Sequence, residues 1–373
     1  MAHLSGLMLI DCPASALNNA GQQIDMVNRE RQHDNWSATK TVTTRQGVFP
    51  YVSAQAFRYW LRESLREVPD WTPSPTFREE KIAYTDANPI EYAEDDVFGY
   101  MRAPGGGSEG AKALKEKWSA KGLTGQETGS KDKFVALTRN SPFKASTLMS
   151  LAPLRPSEMG FDYGTMTRTE DSEYPNPVPY VHEFYRSTLM GLFSIDLRML
   201  GRFYFVERTG YRHLDSVRKA LAEKKKLKPY DNGRAFEFDL PTRKNRLAQL
   251  LEGLARISGG AKQAVHYTDV SPRFLLLGVA KGGNHLFGTS VGADKESRPL
   301  IRTAALEEVA KVFKDDLLSG FYAGLAQGYL DEQRDALEKQ IGAIPGSPTV
   351  GHPVEALRNV IKDLDSNAEK WLE

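Results

Sequence analysis

The chain has 373 residues, and its 49 lysines and arginines are offset by 48 aspartates and glutamates, leaving a formal charge of +1. So even a balance excludes a uniformly basic nucleic-acid coat, although it leaves open where the charges sit. The single cysteine, Cys12, excludes an intramolecular disulfide and any multi-cysteine zinc or iron–sulfur centre, and a reducing cytoplasmic compartment is expected. The longest strongly apolar run, Phe274 to Ala280, is far short of a membrane span, and the first residues lack a basic n-region and a cleavage site. No membrane partner is expected, and the length suits one elaborate domain or two simple ones.

Taken in order, Leu4 to Ile10 is an apolar run stopped by Asp11-Cys12-Pro13, which predicts a buried strand. Ser15 to Asn35 is polar and reads as a loop, and the β-branched Thr39 to Arg45 predicts a second strand. Ser53 is a good N-cap for a helix carrying Phe57, Trp60, Leu61, Leu65 and Val68 on one face and Gln55, Arg58, Arg62 and Arg66 on the other. Pro69 to Pro75 breaks it. Thr76 to about Asn140 reads as an insertion, with an acidic stretch leading into Phe98-Gly99-Tyr100-Met101 and a glycine-rich Gly105-Gly106-Gly107.

A strand returns at Pro142 to Leu151, followed by a Pro-rich excursion to Pro179 and a second β stretch from Glu183 to Val206, together an extended hairpin. Between Arg202 and Arg246 the chain carries 13 basic against 6 acidic residues. Leu247, Leu250, Leu251, Leu254 and Ile257 predict an amphipathic helix ended by Gly259-Gly260, and Phe274 to Val279 another buried strand. From Thr303 onward, Val309, Val312, Phe313 and Leu317, then Leu357, Val360, Ile361 and Leu364, predict helices in a tail with 7 basic and 13 acidic residues. This order fits an α+β fold with a ferredoxin-like or RRM-like core and peripheral helices.

Enzymatic motifs are scarce. Gly105 to Gly110 satisfies G-x-G-x-x-G but follows no buried strand, and the chain lacks a Gly-Lys dipeptide, which eliminates a Walker A loop. The seven histidines show no close ligand spacing, so no metal or cofactor is expected. His182-Glu183 reads as a polar pair at a hairpin edge, Cys12 as a small buried residue, and Asp25 and Asp34 as solvated loop carboxylates. A nucleic-acid reading fares better. The Ser53 helix start would offer backbone N–H groups to a phosphate beside Lys40, Arg45, Arg58 and Arg62. Gly259-Gly260-Ala261-Lys262-Gln263 would bring backbone, a cation and an amide donor close together, and Phe161, Tyr163, Met166 and Tyr174 would stack on or wedge between bases.

Several of these blocks carry a family resemblance. Ser15-Ala16-Leu17-Asn18-Asn19, Gly47 through Arg62, Asp95-Asp96-Val97-Phe98-Gly99-Tyr100-Met101, Ser141 through Ser146 and Ser258 through Gln263 together resemble the DevR-type backbone subunit of type I CRISPR Cascade complexes, subtype I-B-like, in the RAMP superfamily. The resemblance implies an RRM-like palm (1–69, 141–152 and 186–373), a helical fingers insertion (70–140) and a β-hairpin thumb (153–185) bearing Phe161, Tyr163 and Met166. It implies a non-catalytic subunit that oligomerises along CRISPR RNA (crRNA) and presents it to a target DNA strand, in contact with its own copies and other Cascade subunits. By matching motif, RNA would be held by Asn18, Asn19, Arg45, Gln46, Ser53, Gln55, Arg58, Gly259, Gly260, Lys262 and Gln263, with Lys40 and Arg62 beside them. The alternatives are a metal-dependent ribonuclease of the same superfamily, using Asp25 or Asp34, and a DevR-like regulatory protein.

Overall fold

A strand that is apolar on both faces has to lie at the centre of a sheet. In the computed structural model, which describes residues 2–22, 36–79, 82–102, 136–166, 178–206 and 212–373, β1 (Ala2–Ser15) does so. Leu4, Met8, Ile10 and Cys12 face one buried cluster, and Leu7 and Leu9 face another. Gly6 stands on the first face, where a Cβ would overlap the Phe193 ring, so only glycine lets that ring lie flat on the strand.

β2 (Asn19–Gln22) pairs with β3 (Trp36–Thr39), and β4 (Thr41–Thr44) forms a hairpin with β5 (Gly47–Val52). The other strands of the same sheet are β6 (Phe143–Ala145), β7 (Leu148–Ser150), β8 (Met159–Met166), β9 (Val178–Asp196), β10 (Phe274–Lys281) and β11 (Leu317–Leu325). They form an 11-stranded sheet whose main path runs β11-β10-β1-β9-β7-β5-β4. Its pairings are antiparallel except for β3 on β9. β9 does two jobs. Its second half pairs with β1, from Tyr185 opposite Ser15 to Asp196 opposite His3, while its first half pairs with β8, from Tyr185 opposite Met159 to Val178 opposite Met166. A two-stranded ribbon is thereby an extension of a core strand.

The helices are α1 (Ala54–Leu65), α2 (Ala93–Phe98), α3 (Ser216–Lys224), α4 (Leu240–Ala255), α5 (Thr303–Val312), α6 (Arg334–Gly342) and α7 (Pro353–Leu372). α1 packs on α4, α4 on α7, and the three share one cluster with Leu4 and Met8. On the other face, Leu306 and Val309 of α5 and Leu337 and Ile341 of α6 join Leu7, Leu9, Leu276 and Phe321. Both faces of the sheet are therefore covered around β1 and β10, and ligand-binding groups have to come from its edges, ribbons and loops.

The sequence expectations hold for the Ser53 cap, α1, α4, β10 and the strand-rich α+β class, and differ elsewhere. Asn19–Gln22 is a strand where a loop was expected, because its amides find β3. The strand predicted over Pro142–Leu151 is two strands broken at Ser146-Thr147, where Ser146 Oγ accepts from the Leu192 amide at 2.8 Å. Leu317 belongs to β11 and not to a helix; the Phe321–Leu325 run that follows is buried on both sides of the strand. In the insertion, Thr76–Glu79 pairs with Ile82–Thr85 and Tyr100–Arg102 with Leu137–Arg139; α2 is the one helix there among the described residues. Gly105–Gly110 lies outside the described residues, as do Asp25, Asp34 and Tyr174.

The basic stretch from Arg202 to Arg246 proves to be partly interior. Arg202, Arg218, Arg243 and Arg246 are buried. Asp96, fully buried, takes hydrogen bonds from Arg139, Arg246 and the Gly201 amide. Arg218 pairs with Asp215 at 2.8 Å and Asp86 at 3.1 Å, and Arg202 with Glu237 at 2.8 Å. Arg243 donates to the carbonyls of Leu197, Leu200 and Leu372. These guanidiniums knit the insertion and the C-terminal helix to the core, and their charge is spent inside the protein.

Candidate nucleic-acid interface

Five segments far apart in sequence meet where the β8–β9 ribbon leaves the sheet. The Lys40 amide donates to Asn18 O at 2.9 Å, the Tyr51 amide to Lys40 O at 3.0 Å, and the Ala261 amide to Leu17 O at 3.0 Å. Asn18 Nδ2 closes the set by donating to Tyr51 O at 3.2 Å. Asn19 Nδ2 donates to Ser37 Oγ at 2.6 Å, and Thr39 Oγ1 to the buried Glu183 carboxylate at 3.0 Å. Asn19, Ser37, Thr39, His182 and Lys262 line a narrow crevice between these strands.

The loop after α4 is shaped by its glycines. Gly259 (φ +149°) runs under Trp60, and Gly260 (φ +115°) runs against Leu17 and Gln263, positions where any Cβ would collide. Gln263 bridges the loop, donating to Gly259 O and accepting from the Thr268 amide at 3.0 Å, and Thr268 Oγ1 is tied to Ser15 Oγ at 2.6 Å. Lys262 itself has a left-handed backbone (φ +56°), which turns its side chain toward the ribbon, with Nζ 3.0 Å from His182 Nε2. Burial, and then the Lys262 charge, hold the His182 pKa below its ordinary value.

On the ribbon, Phe161 and Tyr163 are exposed, Tyr163 by 74%, and Phe161 meets the Trp36 edge at 5.9 Å. Met166 ends β8. Val265 and the 78%-exposed Tyr267 stand on the glycine loop. Exposed aromatics around a cation and several amide donors are the surface that single-stranded bases and phosphates require.

Among the expected RNA-binding residues, Asn18, Asn19, Lys40, Gly259, Gly260, Lys262 and Gln263 are brought together. Ser53 lies two residues after Tyr51, and its Oγ accepts from the Ala56 amide at 3.3 Å, so the cap already uses one amide that a phosphate would need. Gln55 is exposed on the first turn. Arg45 and Gln46 form the two-residue tip of the β4–β5 hairpin, at the opposite end from Lys40.

Arg58 and Arg62 are the clear departure. Arg58 donates to the carbonyls of Phe98 and Phe143, each at 2.7 Å, and to Ser141 Oγ at 3.0 Å. Burial, followed by the charge of Arg62, lowers its pKa to about 10. Arg62 pairs with Glu94 at 3.3 Å and lies over the Phe98 ring. At Arg58 and Arg62 the helix face that reads as a phosphate-binding stripe is met by Glu94 and Phe98 of the insertion, while Gln55 and Arg66 stay exposed. Sequence reasoning in turn missed a cluster of His182, His266 and Asp162, joined only by the fold; the His182↔Asp162 register was a signal only once the hairpin pairing was known.

Residues 14–294 match the family model described as "CRISPR-associated negative auto-regulator DevR/Csa2". The chain is similar in fold to a chain of a "CRISPR RNA-guided surveillance complex", with 10% identity, a TM-score of 0.51, and 97% of this chain and 99% of that one covered. A second, from a "CRISPR RNA-guided surveillance complex, pre-nicking", gives 11% identity, a TM-score of 0.45, and the same coverage. None of the curated proteins matches the sequence.

Proposed function

From the premise that the chain belongs to the DevR/Csa2 family of CRISPR-associated proteins, we propose that it is a non-catalytic, crRNA-binding backbone subunit of a type I Cascade. Copies would stack along the guide in the cytoplasm, beside other Cascade subunits, and present it for pairing with target DNA. The observation that carries this reading is the convergence of Asn18, Asn19, Lys40 and the Gly259–Gln263 loop at the root of a ribbon bearing exposed aromatics.

The strand order supports reading the core as an RRM-like palm. β10, β1, β9 and the β6/β7 pair stand in the order 4-1-3-2, all antiparallel, with α1 and α4 together on one face. The β8–β9 ribbon is then the thumb. Because the opposite face lies under α5 and α6, RNA would run past the thumb root and not across the sheet. Coexpression with a CRISPR array tests this. The expected result is a nucleoprotein containing a repeat-derived RNA, in oligomers that grow by one subunit; a monomer that stays free of nucleic acid would sink the reading.

A further inference from the structure

Outside the residues assigned above to RNA, the thumb root holds a second constellation. Asp162 of β8, His182 of β9 and His266 of the glycine loop each offer one ligand atom, and these atoms lie within 4.8 Å of one another. An ion at the centre of such a triangle stands at most about 2.8 Å from each atom, against about 2.0–2.2 Å in a formed zinc site, so side-chain shifts of less than about 1 Å close the gap. Three elements converge here, and the strand register places Asp162 directly opposite His182.

The second observation is an unmet need. His266 is nine-tenths buried, its side chain 9% exposed, and its Nε2 has no hydrogen-bond partner; the carboxylate of Asp162 stands 4.0 Å away, beyond bonding distance. His182 Nδ1 is likewise buried without a partner. Imidazole nitrogens excluded from water and left unbonded are destabilising unless something fills the gap between them. Two imidazoles and one carboxylate form the open three-ligand set that suits zinc-class ions.

We propose that Asp162, His182 and His266 bind a divalent metal ion of the zinc class, which ties the ribbon to the glycine loop. Loading this site displaces Lys262 from His182. A neutral imidazole has one accepting nitrogen. If the ion takes Nε2 it replaces the Lys262 ammonium directly; if it takes Nδ1, the proton moves to Nε2, which then no longer accepts. On the RNA-binding reading of the preceding subsection, the released Lys262 becomes available to a phosphate.

Cobalt(II) titration of the full chain, stripped with chelator and followed by its visible d–d absorption, tests the site without RNA. One equivalent is expected to bind, with His266→Gln and Asp162→Asn each weakening it at least about tenfold and Lys262→Met tightening it about threefold or more. Thermal melts confirm that the variants are folded, and His182→Gln provides an independent ligand deletion if one of them is not. Wild-type affinity matched by both His266→Gln and Asp162→Asn would overturn the proposal, as would weaker binding by Lys262→Met. A separate arm compares single-stranded RNA affinity with saturating Zn²⁺ and with chelator, where several-fold tighter binding with Zn²⁺ is expected. Absence of RNA binding in both states would count against the RNA reading alone, since the cobalt result decides the metal site.

Discussion

At the scale of single residues, the buried charges set the sharpest constraints. Asp96 has no solvent exposure and stands between Arg139 and Arg246. Asp96→Asn would leave two buried guanidiniums without their counter-charge, a loss of about 3–5 kcal/mol. Urea unfolding should show it as a lower midpoint with little change in slope. His213 makes the stability pH-dependent. Its Nδ1 accepts from the Tyr204 amide at 3.1 Å, and burial, then the Arg139 charge, hold its pKa well below the ordinary value. A base whose pKa is depressed on folding contributes its full stability above the unfolded value, about 6.5, and loses it as pH falls below that value. His3 and His285 are shifted the same way and add to the loss. The urea midpoint should therefore fall between pH 7.5 and pH 5, and His213→Asn, which retains an acceptor, should reduce that fall; an unchanged fall would assign it to other groups. Cys12, whose pKa burial raises to about 12, should resist alkylation until the chain unfolds.

At the scale of elements, α1 shows what a sequence can and cannot disclose. Its apolar face was legible because Phe57, Trp60, Leu61 and Leu65 recur at helical spacing, and that face does pack on α4 and the sheet. Its polar face was not, because periodicity separates apolar from polar without saying whether water or another segment will meet the polar side. Here the chain returns, and the Phe98 ring lies beneath Arg58 and Arg62. Arg58→Ala should accordingly lower stability by about 2 kcal/mol or more, three charge-assisted bonds being lost. RNA binding by the folded variant should keep its salt dependence. Lys262→Ala should behave in the opposite way, leaving the melt almost unchanged and reducing the slope of log K against log salt by about 0.7. Filter binding at several salt concentrations separates the two, and a flattened slope for Arg58→Ala would return that arginine to the interface. The glycine loop was legible for a different reason: a Gly-Gly pair marks a positive-φ backbone open to close approach whichever distant side chain comes to meet it, here Trp60 and Leu17. The histidine cluster had no such local code, since its members meet only after β8 pairs with β9 and the loop folds over both.

At the scale of the whole molecule, the C-terminal region changes status. Composition made it a peripheral acidic tail, and the family match ends at residue 294. Yet Leu357, Val360, Leu364 and Trp371 of α7 share one buried cluster with Leu4 and Met8 of the first strand. The closing contacts are specific: Arg243 donates to Leu372 O, Tyr322 Oη to Asp363 at 2.8 Å, and Lys370 Nζ to Leu318 O at 3.1 Å. A segment bonded to α4, β11 and the central cluster at once cannot detach without exposing the sheet, so the fold should unfold as one unit despite its insertions. Trp371, 1% exposed, is the place to test this. Trp371→Ala should lower global stability by about 3–5 kcal/mol, and far-UV circular dichroism and the fluorescence of the remaining tryptophans should report one coincident transition. A biphasic curve in which helix signal is lost ahead of the core would show that α7 is a separable appendage, and that β1 and β10 stay folded without it.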